Sequence, residues 1–110
     1  MGRFQLYTDA RGQYRFRLRA ANGDVILRSQ GYAGHASAVN GIASVKENAR
    51  LEERFERHQS ESGYWFNLRA TNGQVIGTSE GYASAQGRDK GIRSCMASAP
   101  DALVQDALQA

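Results

Sequence analysis

An internal repeat constrains this chain more than any other feature. With Tyr14 placed over Tyr64, YRFRLRAANGDVILRSQGYA lies above YWFNLRATNGQVIGTSEGYA, and about half of the positions from 14 to 45 are identical. A unit of about 50 residues is marginally stable alone, so we expect the two copies to pair about a pseudo-two-fold axis, as an isologous dimer does. The predicted repeats are residues 1–50 and 51–110, which together form one compact unit.

Each repeat is predicted to contain three strands followed by a helix. Tyr14, Phe16 and Leu18 alternate with arginines, and this period of two is typical of a strand with one buried and one wet face. Asn22-Gly23 favours a type I′ hairpin turn, in which both central residues have positive φ. Such a turn sets three cross-strand pairs: Leu18 with Leu27, Arg17 with Arg28, and Ala20 with Val25.

Apolar residues recur at helical spacing after the third strand of each copy. The predicted inward faces are Val39, Ile42, Val45 and Ala49 in the first copy, and Ile92, Cys95, Met96 and Ala99 in the second. Ser84 is predicted to cap the second helix, and Gly34 takes that place in the first. Glycine within a helix costs about 1 kcal/mol relative to alanine, so Gly41 and Gly91 indicate close approach of each helix to the sheet or to the other helix.

The expected fold class is α+β, with two tandem β-β-β-α repeats, antiparallel strands and both helices on one face. We expect a single six-stranded sheet, and two smaller sheets packed together are the alternative. After Pro100, the segment from Asp101 to Leu108 is predicted to form a short final helix that docks through Leu103, Val104 and Leu108.

Four short motifs and the end of the second copy carry a family likeness. The motifs are Phe4-Gln5-Leu6-Tyr7-x-Asp9, N-G-x-V-I, S-x-G-Y-x-[SG] and G-I-x-S, and the closing segment is Ala99-Pro100-Asp101-Ala102. Over nearly the whole chain, these residues resemble the YegP-like family of small bacterial proteins. The resemblance implies a duplicated α+β fold. It implies no activity, because that family has no agreed catalytic or binding residues.

No residue pattern points to catalysis. His35 and His58 have no second ligand at metal-binding spacing. Cys95 falls at an apolar helix position and is expected to pack as a small apolar side chain, while Ser29 and Ser79 are expected to bond the backbone where strands end. We therefore expect a chain that is not an enzyme and that has no catalytic residues, no cofactor and no metal.

Composition suggests a location. The single cysteine cannot form an internal disulfide, and the N-terminus lacks the apolar run of a signal peptide. No apolar stretch approaches the ~18 residues that a membrane span requires. We expect a cytoplasmic protein that does not associate with membranes. Its net charge of +3 permits an anionic partner without requiring one.

One predicted surface is difficult to explain by packing. Arg15, Arg17 and Arg19 share the wet face of one strand, and the hairpin register places Arg28 opposite Arg17. Like charges directly opposite each other destabilise a sheet, and the second copy lacks this pair. Tyr7 is predicted to lie on the same face. The candidate binding face comprises Arg15, Arg17, Arg19, Arg28, Trp65 and Arg69.

Three interpretations of this face remain open. It can be a solvated surface that Glu53, Glu56 or Glu80 neutralises. It can be an interface with a protein partner or with a second copy, since arginine and aromatic residues are enriched at interfaces. It can also bind nucleic acid or another polyanion. The favoured function is a non-enzymatic interaction module acting through the open sheet face, and the alternative is a weak, sequence-tolerant binder of single-stranded nucleic acid or another polyanion.

Overall fold

The repeated sequence pattern forms matching elements in the computed structural model, which describes residues 2–106. The first copy contains β1 (Arg3–Thr8), β2 (Tyr14–Arg19), β3 (Val25–Arg28) and α1 (His35–Asn48). A short 3-10 turn (Glu52–Arg54) leads into the second copy, which contains β4 (Phe55–Ser60), β5 (Gly63–Arg69), β6 (Val75–Thr78) and α2 (Ala85–Ser98). A final strand, β7, runs over Leu103–Asp106.

All strands belong to one sheet with the order β4-β5-β6-β3-β2-β1-β7. The copies meet where β3 and β6 pair antiparallel, with Arg28 opposite Thr78. These two residues occupy equivalent positions of the repeat, so the arrangement is consistent with a pseudo-two-fold axis between the copies. The alternative of two separate sheets is excluded.

The hairpin turns differ from the type I′ prediction. Gly23 has a positive φ of 92° but Asn22 does not, and the Gly23 amide donates to the Ala20 carbonyl at 2.9 Å. This pattern is that of a type I turn followed by a left-handed glycine. The extra residue produces a bulge, so two of the predicted pairs form, but Val25 lies opposite Arg19 instead of Ala20.

The predicted final helix is wrong over the described residues. Leu103–Asp106 instead form β7, which pairs parallel with β1. The outer edge of β1 offers unpaired backbone groups, and a helix this short is marginal in water, so strand addition prevails. Leu103 and Val104 are 65% and 48% exposed and do not dock as predicted; Leu108 lies outside the described residues.

Both helices cover one face of the sheet and reach across to the other copy, because α1 contacts β5 and β6 while α2 contacts β3. The inward residues of α2 are placed as predicted, with Met96 partly buried. In α1 the prediction for Val39 is wrong, since it is 43% exposed and Ala38 is buried in its place. The buried stripe of α1 contains Ala38, Ile42 and Val45, which are spaced four and three residues apart.

The two mid-helix glycines allow close approach to the sheet, as predicted. A Cβ atom at Gly91 would overlap the Tyr82 hydroxyl, and one at Gly41 would overlap that of Tyr32. Tyr82 in turn stacks on Phe66 with ring centroids 6.3 Å apart. A tyrosine ring therefore lies between each helix and the sheet, and only glycine leaves room for it.

The helix starts are also as predicted. The Ser84 hydroxyl accepts a hydrogen bond from the Gly87 amide at 3.0 Å. Gly34 occupies the equivalent position before α1 and makes no side-chain cap. The start of α2 therefore has one more of its amides satisfied than the start of α1.

Candidate functional site

The sheet face opposite the helices carries a continuous polar row. Successive strand registers align one polar side chain from each of the seven strands. In order from β4 to β7, the row is Glu56, Asn67, Thr78, Arg28, Arg17, Gln5 and Gln105. The row brings the β2 and β3 arginines of the first copy together, as the hairpin register predicts.

Two arginines of the first copy share one neutral acceptor. The Nε atoms of Arg17 and Arg19 both donate to Oε1 of Gln5, at 2.9 Å and 2.7 Å. The Arg17 guanidinium also lies 4.7 Å from the centre of the Tyr7 ring, in a cation–π contact. Within residues 2–106, no carboxylate pairs with Arg17 or Arg19, so both keep an uncompensated positive charge.

The flanking arginines are paired. Arg15 donates to Asp9 at 2.7 Å, and this hydrogen bond is the main cause that lowers the pKa of the Asp9 carboxyl. Arg28 donates to Glu80 at 2.8 Å, with both side chains nearly half exposed, at 47% and 45%. Exposed pairs of this kind contribute little to stability and are screened by salt. Glu80 therefore offsets the Arg28 charge without burying it.

The second copy forms a self-neutralised cluster on the same face. Arg69 binds Glu56 through two hydrogen bonds of 2.9 Å, from Nε and Nη2, and Nε2 of His58 lies 2.6 Å from the same carboxylate. The Arg69 hydrogen bond, followed by that of His58, lowers the pKa of Glu56 to about 2. The His58 ring stacks on Trp65 with a centroid distance of 5.4 Å.

The six candidate residues therefore fall into two groups. Arg15, Arg17 and Arg19 lie on β2 with Arg28 on the adjacent β3, whereas Trp65 and Arg69 lie on β5, with β6 between β5 and β3. The structure does not bring Trp65 next to the β2 arginines. The two groups differ in their charge balance, which is set by residues outside the predicted set.

Two residues control this charge balance, Gln5 and Glu56. Sequence reasoning missed Gln5, and it named Glu56 only as one of three possible neutralising carboxylates, without assigning its partner. Both follow a core phenylalanine, Phe4 in β1 and Phe55 in β4, and they are equivalent when the two copies are aligned on those phenylalanines. The change from a neutral amide to a carboxylate was visible in the sequence. Its effect on the charge of the face could not be predicted, because the cross-strand register decides which arginine each side chain contacts.

Glu56→Gln is expected to reduce the loss of unfolding free energy that the protein undergoes as the pH is lowered. The pKa of Glu56 is about 2 in the folded protein against an ordinary value of 4.5, so its stabilising contribution is complete above pH ~4.5 and is lost as pH falls through ~2. In urea unfolding from pH 7 down to pH 2, the variant should be less stable than the parent at pH 5–7, and the difference should shrink toward pH 2.

Glu47→Gln is the matched control for this prediction, because Glu47 is an exposed carboxylate on α1. It should follow the parent curve over the whole pH range. A Glu56→Gln curve that stays parallel to that of the parent down to pH 2 would contradict the assignment.

The remaining residues considered for chemistry make structural contacts. Cys95 is fully buried, and burial raises the pKa of its thiol to about 12, so it packs as predicted. The Ser29 hydroxyl accepts from the Phe16 amide at 2.9 Å and donates to the Gln30 carbonyl at 2.8 Å. Ser79 repeats both bonds in the second copy, which confirms the prediction of backbone bonding.

His35 lies at the first position of α1, and its Nε2 atom is 2.7 Å from Oδ2 of Asp106 on β7. In the part of the chain that is described, no three His, Cys, Asp or Glu side chains are grouped closely enough to hold a metal ion. None of the described helices is long and apolar enough to span a membrane.

The fold is thus a duplicated α+β unit built on one sheet with an open polar face. Residues 9–56 and 60–106 each match the family described as domain of unknown function (DUF1508). The chain belongs to this family and carries two copies of its domain in tandem. The first match begins just after β1 and the second at the last residue of β4, so the matched segments are offset from the predicted repeats at residues 1–50 and 51–110.

Relatives include both duplicated and single-copy chains. A UPF0339 protein in the ptx operon 5′ region of Stutzerimonas stutzeri is 50% identical over 104 residues, which is 94% of each chain. A UPF0339 protein of Methanosarcina acetivorans is 55% identical over 49 residues, covering 44% of this chain and 84% of that protein. One copy therefore accounts for most of the latter.

Solved structures confirm the fold. The solution NMR structure of yegP from E. coli, a protein of unknown function, superimposes with a TM-score of 0.91 at 44% identity, covering 96% of this chain and 92% of that chain. The solution NMR structure of a UPF0339 protein from Shewanella oneidensis gives a TM-score of 0.90 at 40% identity, with coverage of 96% and 90%.

Proposed function

We propose that this chain is a cytoplasmic, non-enzymatic interaction module whose open sheet face binds an acidic segment of a partner protein. The observation that carries the proposal is the pair Arg17 and Arg19, which share one neutral acceptor and have no carboxylate partner among the described residues. The buried, unpaired Cys95 suits the reducing compartment proposed for it.

The N–H groups of Arg17 and Arg19 that have no acceptor determine which ligands this face would bind. Each guanidinium has five N–H groups. Nη1 and Nη2 of Arg17 and Nη2 of Arg19 donate to no acceptor in residues 2–106, whereas Nη1 of Arg19 binds the Gly23 carbonyl at 2.7 Å. Carboxylates bind such forks with short, charge-assisted hydrogen bonds. Arg15 and Arg28, on either side, are paired with Asp9 and Glu80. The uncompensated positive charge is therefore concentrated at Arg17 and Arg19, which would steer an acidic segment to this point.

Single-stranded nucleic acid is the second candidate, and the Arg17–Tyr7 contact favours it. Binders of this class combine arginines with aromatic rings on which bases stack. However, the Arg17 guanidinium lies over the Tyr7 ring, and His58 stacks on Trp65 in the separate β5 group. Arg17 thus already covers one face of Tyr7, and Trp65 lies on a different strand from the free arginines. Fewer ring faces are therefore available for bases to stack on, which favours an acidic protein segment.

Fluorescence anisotropy with two labelled probes, an oligoglutamate peptide and an oligo-dT strand, tests the proposal at low and at near-physiological salt. We expect saturable peptide binding that salt weakens, and a loss of affinity of about tenfold or more in the Arg17→Gln/Arg19→Gln variant. The matched control is Arg50→Gln/Arg93→Gln, which removes two exposed arginines outside this face and should bind nearly as the parent does.

Two results would overturn the proposal. Absence of peptide binding at low salt removes the acidic segment from consideration. Binding of oligo-dT alone, lost in the Arg17→Gln/Arg19→Gln variant, replaces it with the nucleic-acid function. Thermal unfolding of each variant checks that the fold is retained.

A further inference from the structure

The two copies hold one arginine in the same way. Arg19 and Arg69 occupy equivalent positions at the ends of β2 and β5, and Nη1 of each donates to a turn carbonyl, that of Gly23 or Gly73. Each guanidinium is therefore hydrogen-bonded through Nη1 to the hairpin turn of its own copy. The groups that reach the other nitrogens differ between the copies.

In the second copy, the other two nitrogens of the guanidinium also have an acceptor. The Glu56 carboxylate takes both Nε and Nη2 of Arg69. In the first copy Gln5 stands at the equivalent position, and its amide oxygen takes only Nε of Arg19, together with Nε of Arg17. Nη2 of Arg19, a partly exposed residue, has no acceptor in residues 2–106.

We propose that Glu56 fills an oxyanion site in the second copy that the first copy leaves open for a ligand, and that the residue at position 5 decides whether the site is open. This inference rests on the proposed function, because it assigns the atoms that the acidic segment would contact. A carboxylate of the ligand bridges Nη2 of Arg19 and the Nη atoms of Arg17. In the second copy, the Glu56 carboxylate binds Nε and Nη2 of Arg69 in a comparable way.

Gln5 is a positioning residue in this scheme. Its carbonyl oxygen orients two arginines side by side without neutralising either one, and its Nε2 donates to Gln105 on β7 at 3.4 Å. A carboxylate at position 5 would accept the same bonds and also cancel charge, as Glu56 does. The second copy holds only one arginine at this point, because Asn67 replaces the equivalent of Arg17.

Gln5→Glu tests the assignment. We expect this substitution to weaken oligoglutamate binding by about tenfold or more without lowering the melting temperature, because an internal carboxylate then fills the site. Gln86→Glu on the exposed start of α2 changes the net charge equally and should leave affinity nearly unchanged. Inorganic phosphate added as a competitor shows whether the same site also accepts a free oxyanion of another source.

Glu56→Gln is the reciprocal test, read by NMR at the arginine Nε–H resonances. In the parent, oligoglutamate should shift Arg17 and Arg19 but not Arg69, and in the variant it should also shift Arg69. Equal affinity of the Gln5→Glu and Gln86→Glu variants, or an Arg69 resonance that is unmoved in the Glu56→Gln variant, overturns the inference. If either result is found while Arg17→Gln/Arg19→Gln still weakens oligoglutamate binding by about tenfold or more, the proposed function stands and only this assignment of the site fails.

Discussion

Replacing Gly77 by leucine is expected to lower the free energy of unfolding by about 3 kcal/mol, the upper end of the usual cost of overpacking a core. A Cβ atom at Gly77 would lie 2.6 Å from both Cγ and Cδ2 of Leu27, which is fully buried. Gly77 and Leu27 are equivalent positions of the repeat on either side of the β3–β6 seam. Only one leucine fits between the two copies.

A double-mutant cycle makes this prediction specific. Leu27→Gly alone should also destabilise, because it leaves a cavity at the seam, and comparable Leu→Ala changes cost about 2–5 kcal/mol. In Leu27→Gly/Gly77→Leu the single leucine returns from the other copy, so we expect much of the loss to be recovered. Urea unfolding of the four proteins measures the coupling. Additive losses in the double variant would show that the seam is not pseudo-symmetric in its packing.

Phe66→Ala is expected to cost about 3–5 kcal/mol, a large fraction of the 5–15 kcal/mol by which small domains are usually stable. Phe66 is fully buried, meets Phe55 edge-on at 5.6 Å and stacks under Tyr82. Its removal leaves the tyrosine on which α2 rests without support. Thermal and urea unfolding should both show the loss.

Trp65→Ala is the control for Phe66, because the two aromatic residues are neighbours on β5 and point to opposite faces of the sheet. Trp65 is only partly buried and stacks on His58, so its truncation should cost much less. Phe66→Leu, which keeps most of the volume, should also be milder. Equal losses for Trp65→Ala and Phe66→Ala would contradict the placement of Phe66 in the core.

Part of the candidate site could be predicted from the sequence. The alternation in β2 places its three arginines on the wet face, and the hairpin brings Arg28 opposite Arg17. The charge balance could not be predicted in the same way. Glu80 reaches Arg28 only because β6 lies beside β3, and Gln5 reaches two arginines only through the β1–β2 register.

Local sequence was sufficient to predict the duplication, the strands β1 to β6, the two helices, the capping by Ser84 and the burial of Cys95. These features follow from local periodicity and from chemistry within a few residues of the chain. The choice between one sheet and two, and the pairing of β7 with β1 in place of a final helix, depend on contacts between distant segments of the chain. The pairing of Glu56 with Arg69 also depends on the tertiary structure, since edge-strand pairing and cross-strand contacts are set by which backbones lie side by side.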